Sequence, residues 1–258
     1  MADVVELAGE GQATEAGRLA QQSVEAYEAG DRAETLNRAG DSALAAAYTH
    51  LQQIVGVMAI LLPFVLFFGN WALTGDELES SISAYYHTPM GSVFVGVLWA
   101  LGVFFLSYHY KALRGFNWDN RLSDLAAVAA VCVAVFPTTS DASVATRSEQ
   151  NIGIVHMISA AALFILLAVF ALVLFPKSRG EMTPQKRRRN IVYRTCGVII
   201  VVAMVLMIVT RGAPEEWHAF LWLETICVEA FGISWLVKGG FLGILADKEP
   251  VPEPAPTG

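Results

Sequence analysis

His87, His156, His218, Ser83, Glu224 and Glu229 are the side chains in this sequence whose chemistry calls for explanation. His87, His156 and His218 sit 69 and 62 positions apart, at the boundaries of long apolar runs, where a neutral imidazole could accept a proton, donate one or ligate a metal. Ser83 supplies a hydroxyl that a neighbouring histidine could activate as a nucleophile or that could position a substrate. If catalysis occurs, His156 or His218 is the expected general base and Ser83 its partner. A zinc site would need three or four His, Asp, Glu or Cys ligands, with one position open in an enzyme. No HExxH or His-x-x-x-His pair fixes two ligands on one helix face, so no metal ligand is assigned, and zinc is kept only as an alternative to a cofactor-free site.

Glu229 is the more demanding residue. It falls inside an apolar run, where an ionised acid costs about 2.5 to 3.5 kcal/mol on insertion scales and so must face the bundle interior, pair or stay protonated. Three helical turns separate it from His218, so Trp222, Thr225 and Glu229 would continue the stripe of His218 inward. Glu224 lies nearer the start of the same run, on a different face. Asn70, at the end of another run, could line the same polar pocket as His87, Glu224 and Glu229.

The elements that must position these groups follow from composition. The 258 residues are 55% hydrophobic and 16% charged, with a mean hydropathy of +0.49, against about 25% charged in an average soluble domain. This excludes an ordinary water-soluble globule and leaves an all-α membrane protein. A net charge of -7 and a pI near 5.2 exclude a nucleic-acid-binding face, so no nucleic-acid partner is expected. Cys132, Cys196 and Cys227 lie inside apolar runs without ligand spacing and read as packing residues.

A helix crossing the hydrocarbon core needs about 17 to 25 apolar residues. Runs over 51–74, 91–110, 152–175 and 191–209 meet this directly, and 122–138 and 219–237 meet it despite Asp124, Glu224 and Glu229. Six spans with both termini on one side place Arg18, Arg32, Arg38, Lys111, Arg114, Arg121, Lys177, Arg179, Lys186, Arg187, Arg188, Arg189, Arg194, Lys238 and Lys248 together, leaving only Arg147 and Arg211 opposite. That is the positive-inside pattern of a multi-pass bacterial inner-membrane protein with cytoplasmic termini. Three outward hairpins would then bring one histidine each to the outer face, with Ser80, Ser81, Tyr85, Thr88, Asp141, Glu149, Glu215 and Glu216 around them.

Residues 1–50 are acidic, and Gly30-Asp31 is expected to break them into a helical hairpin, a cytoplasmic tail able to dock a protein partner. Residues 51–245 form the membrane domain. Residues 246–258 alternate proline with small residues and read as a disordered tail. Lys186, Arg187, Arg188 and Arg189, expected in a cytoplasmic loop, could hold anionic lipid headgroups as well as set topology.

Ile82-Ser83 in the first outer loop, Phe136-Pro137 closing the third span and His156 opening the fourth give a layout that resembles uncharacterised bacterial six-span proteins related to the autophagy-modulator and GPI-lipid-remodelling membrane family. The resemblance covers about residues 51–245 and implies an outward-facing site associated with lipids or their headgroups. The reading that gathers these features is an outward-facing polar pocket that binds or modifies a lipid-like substrate. A proton-coupled transporter using Glu229, and a membrane anchor recruiting a partner through residues 1–50, are the alternatives.

Overall fold

The structure, a computed structural model, describes residues 2–108, 118–139, 145–177 and 182–241. Among these, every regular element is helical: α1 (Ala2–Thr74), a 3₁₀ turn (Ser83–His87), α2 (Gly91–Ser107), α3 (Trp118–Val135), α4 (Arg147–Val169) continuing as a π-helical turn (Phe170–Leu174), α5 (Pro184–Val209), a short 3₁₀ turn (Glu215–Trp217) and α6 (Ala219–Lys238). The chain divides into two compact units, Met1–Tyr48 and Thr49–Gly258.

In the first unit the backbone is helical through Gly30-Asp31, so the expected hairpin is not formed. One glycine costs a helix only about 1 kcal/mol against alanine, and the Ala-, Glu- and Gln-rich flanks outweigh it. Arg38 pairs with Glu34 one turn earlier, at 2.5 Å, supporting the exposed helix surface.

The second unit holds the candidate site residues. By length and apolar character, Gly30–Thr74, Arg147–Leu174, Pro184–Val209 and Ala219–Lys238 can cross a membrane, and Gly91–Ser107 is a shorter apolar helix. Four to five candidate spans are thus present among the described residues, against six expected. The difference is α3, which starts at Trp118 and carries Asp119, Arg121 and Asp124 in its first two turns. Its inward face is alanine: Ala126, Ala127, Ala130 and Ala134 are buried, which lets α3 lie close to α2. Outward faces are strongly apolar, with Phe68 66%, Ile158 65% and Ile208 68% exposed, surface that a hydrocarbon solvent accommodates and water does not.

Small residues set the closest helix approach. A Cβ on Gly232 of α6 would stand 2.7 Å from Ile60 Cγ1 and 3.0 Å from the Gly56 carbonyl of α1, so these backbones meet with no room for a side chain. Pro63, inside α1, has no N–H for the Ala59 carbonyl, and Ala59 and Leu62 both border the internal cavity described below. The floor beneath that cavity is an aromatic cluster around the fully buried Trp235, with Phe104, Tyr108 and Phe175 at 4.8, 4.9 and 5.0 Å between ring centroids. The π turn feeds this cluster by turning Phe170 and, one residue beyond it, Phe175 inward; the Phe175 amide donates to the Phe170 carbonyl at 2.9 Å.

The basic run belongs to α5 and not to a loop. Thr183 accepts from the Lys186 amide and Pro184 occupies the first turn, a combination that starts a helix before the basic residues.

Candidate functional site

The connection between α1 and α2 is a short, self-bonded loop. Gly75, at φ +75°, ends α1 where a residue with a Cβ would be strained. The Ala84 amide then donates to Ser81 Oγ, Thr88 Oγ1 donates to the Tyr85 carbonyl, and the Glu79 amide reaches the Tyr85 hydroxyl. Tyr85 is fully buried against Phe67, 5.8 Å between ring centroids. Burial, with a smaller contribution from the Glu79 charge, raises its phenol above the ordinary value against a Glu79 backbone hydrogen bond that lowers it.

Glu224 of α6 anchors this loop from below. Its Oε2 accepts from the Ile82 amide at 2.7 Å and the Ser83 amide at 3.3 Å, the two donors that the start of a 3₁₀ turn leaves without backbone partners. A carboxylate at a helical N-terminus makes charge-assisted bonds and meets the positive end of the local dipoles. Its other oxygen and the Ser83 hydroxyl make no hydrogen bond among the described residues, although both residues are more than nine-tenths buried.

Ser83 and Glu224 form the polar end of an apolar cavity of about 60 Å³. Leu98, Leu101, Leu163, Phe164 and Phe231 are among its walls, drawn from α2, α4 and α6. By volume it has room for about four waters, yet beyond this one end its lining side chains are hydrocarbon or aromatic. Ala160, Phe164 and Glu224 also border a second cavity of about 160 Å³ between α4, α5 and α6, where Met157, Met204, Met207 and Arg211 join them. These three residues are the partition between the two spaces.

Each expected histidine is spent on a backbone carbonyl. His87 Nε2 donates to Thr138 O at 2.7 Å and His156 Nδ1 to Phe136 O at 2.6 Å, so two rings from different elements clamp the Phe136-Pro137-Thr138 turn. His218 Nδ1 donates to Glu79 O at 3.2 Å, and His218 itself adopts a left-handed backbone, φ 44°, at the start of α6. A carbonyl can only accept, so these bonds fix which nitrogen carries the proton. His156 is left with Nε2 buried and unpartnered among the described residues. None of the three borders the cavity of Ser83 and Glu224. No group of three His, Cys, Asp or Glu side chains able to hold a metal occurs among the described residues.

Of the remaining expected residues, Asn70 is buried with Oδ1 unpartnered among the described residues and borders neither cavity. Glu229 is half-buried, with Oε1 enclosed and unpartnered among the described residues, and is likewise outside both. Thr225 returns its hydroxyl to the Leu221 carbonyl and Trp222 is half exposed, so the stripe from His218 is not a continuous polar path. Glu149 closes a capping box with Thr146. Asp141, the side chain of Glu215 and the tail 246–258 lie outside the described residues. Sequence reading missed Phe164 and Arg211 as lining residues; Phe164 lies inside an apolar run that gives it no mark of its own.

Glu79 sits where the loop bonds meet. Burial and, less strongly, the Asp76 charge raise its carboxyl above the ordinary range, while His87 and His218 lower it.

No curated protein matches the chain, and no solved structure matches it. Residues 54–241, most of the second unit and with it both cavities, match one family throughout, and the chain therefore belongs to the family described as protein of unknown function, DUF998.

Proposed function

We propose that this protein is a multi-pass membrane protein that holds an amphipathic, lipid-like ligand in an outward-facing pocket, its apolar part between α2, α4 and α6 and a donor-bearing head, a hydroxyl or amine, against Ser83 and Glu224. The observation that carries this is an otherwise apolar cavity that ends on the buried residues Ser83 and Glu224, whose hydroxyl and second carboxylate oxygen make no hydrogen bond among the described residues. Ligand pockets share this lining, mostly apolar walls with a few polar groups that fix orientation, and at about 60 Å³ this cavity takes a short apolar segment of the ligand. The second cavity supports it by adding about 160 Å³ of mostly apolar space on the other side of Ala160, Phe164 and Glu224. Six spans, three outward hairpins and cytoplasmic termini in a bacterial inner membrane belong to the same proposal, supported by the one-sided distribution of Lys and Arg. The resemblance to lipid-remodelling membrane proteins read from Ile82-Ser83, Phe136-Pro137 and His156 belongs to the same proposal.

Within this reading His87, His156 and His218 hold the loops that roof the pocket, because each ring is already bonded to a carbonyl. Ser83 binds the head, and no covalent step is assigned to it. Protein extracted in mild detergent should retain a stoichiometric amphipathic molecule in native mass spectrometry. Ala160→Phe, which fills the partition, should remove that molecule while helix content by circular dichroism is unchanged. Identical ligand content in wild type and Ala160→Phe, or no retained molecule in either, would overturn the reading.

One observation favours a second reading. The enclosed Oε1 of Glu229, without a hydrogen-bond partner among the described residues, has the setting of a proton-carrying acid in a coupled transporter. Proton flux into liposomes that is unchanged by Glu229→Gln would dismiss it.

A further inference from the structure

The cavity of about 160 Å³ beyond the partition is built from one stripe of each of three helices. Positions 157, 160, 161 and 164 of α4, and 204, 207, 208 and 211 at the end of α5, follow the three- and four-residue steps of a single helix face, and 220 and 224 lie one turn apart on α6. Ala160 and Ala161 end at Cβ, which leaves space between them and the flexible side chains of Met204 and Met207.

Two charged residues, Arg211 and Glu224, border this otherwise apolar space, and among the described residues they form no salt bridge with each other or with any other group. Arg211 is exposed just past the last turn of α5, and its Nη2 donates to Met157 Sδ at 3.7 Å, a weak acceptor for one of its five donors. On the topology proposed above, it lies on the side that holds one other basic residue, Arg147, so the orientation of the chain gives no reason for it. Glu224 is nine-tenths buried; one oxygen takes the Ile82 and Ser83 amides, and the other makes no hydrogen bond among the described residues.

Depth orders these groups as the parts of a lipid are ordered. Arg211 stands at the loop end of the bundle. Glu224 is five residues into α6, about 7 to 8 Å along its axis, and Phe231 continues the same face two turns further, in the wall of the apolar cavity behind Glu224. An anion placed directly against Glu224 would be repelled, whereas a guanidinium takes a phosphate through paired N–H bonds. We infer, on the footing of the ligand pocket proposed above, that the ligand is a lysophospholipid: its chain lies behind Glu224, its hydroxyl donates to Glu224, and its phosphate reaches Arg211. An ammonium head does not fit this order, because in a phospholipid the amine lies beyond the phosphate and not between phosphate and chain.

The test titrates the full chain in mild detergent with three amphiphiles of equal chain length, read by native mass spectrometry. Lysophosphatidic acid carries both hydroxyl and phosphate, a monoacylglycerol has hydroxyls without phosphate, and an alkyl phosphate has the phosphate without a hydroxyl. Lysophosphatidic acid should bind about tenfold more tightly than either of the others, the effect of one charge-assisted hydrogen bond. Arg211→Gln should weaken lysophosphatidic acid and the alkyl phosphate about tenfold, and the monoacylglycerol by less than about twofold. Arg147→Gln, at the start of α4, should leave all three within about twofold. Thermal melting verifies that each variant folds, and the order of the three ligands on the wild type carries the test if Arg211→Gln does not. A monoacylglycerol that binds as tightly as lysophosphatidic acid, or an Arg211→Gln variant that weakens all three alike, overturns the assignment of the phosphate and leaves the pocket standing. Binding of none of the three by the wild type overturns the pocket and the lysophospholipid together.

Discussion

Replacing Glu224 by alanine removes the acceptor on which the whole first loop rests. Two buried amides, those of Ile82 and Ser83, would lose the one acceptor they have among the described residues, bonded at 2.7 and 3.3 Å. Leaving a buried donor unsatisfied costs about 1 to 3 kcal/mol, and the longer bond belongs at the low end, so Glu224→Ala should destabilise the second unit by about 2 to 4 kcal/mol. Glutamine keeps an oxygen in the same position and forfeits only the charge assistance, which should limit Glu224→Gln to about 1 kcal/mol. Thermal melting in detergent gives the ranking, and hydrogen exchange at Ile82 and Ser83 gives the location. The alanine variant should speed exchange at both amides, and glutamine should restore most of the protection. Equal melting of the two variants, with the Ile82 and Ser83 amides still protected in the alanine variant, would refute the anchoring role.

Further outcomes follow from the same geometry. His156→Leu should leave the Phe136 carbonyl unpaired, cost about 1 to 3 kcal/mol in thermal melting and speed hydrogen exchange around residues 133–139. Gly232→Leu should lower stability by about 1 to 3 kcal/mol or more, because Ile60 and the Gly56 carbonyl occupy the space, whereas Gly96→Leu, with nothing within 4 Å of its Cβ, should leave melting nearly unchanged. The raised carboxyl of Glu79 makes the first loop pH-dependent. Its stabilising contribution is complete below the ordinary carboxylate value and is lost as pH rises through the raised value, so exchange across 76–90 should quicken over that window, and Glu79→Gln should flatten the profile.

The long spans were legible because an apolar run of sufficient length has few alternatives: 51–74 and 191–209 lie inside α1 and α5, and α6 at Ala219–Lys238 ends one residue beyond the expected run. Local propensity misled at Gly30-Asp31, where the neighbours outvote one glycine, and at Lys186 to Arg189, where a threonine cap and a proline start the helix earlier than hydropathy does. The three histidines were visible as residues at run boundaries. Their partners were not, since His87 and His156 find carbonyls 51 and 20 positions away and only tertiary packing brings these together. Depth drew attention to Glu229, but depth says nothing of facing. Glu224, five positions earlier and on another face, is the acid that meets the loop and the cavity.

A density map of the protein in lipid nanodiscs tests the central claim most directly. The account predicts elongated density among Leu98, Leu163 and Phe231, its polar end within hydrogen-bond distance of Ser83 Oγ or Glu224. A cavity filled by rearranged side chains, or ligand density whose polar end lies away from both oxygens, would contradict it.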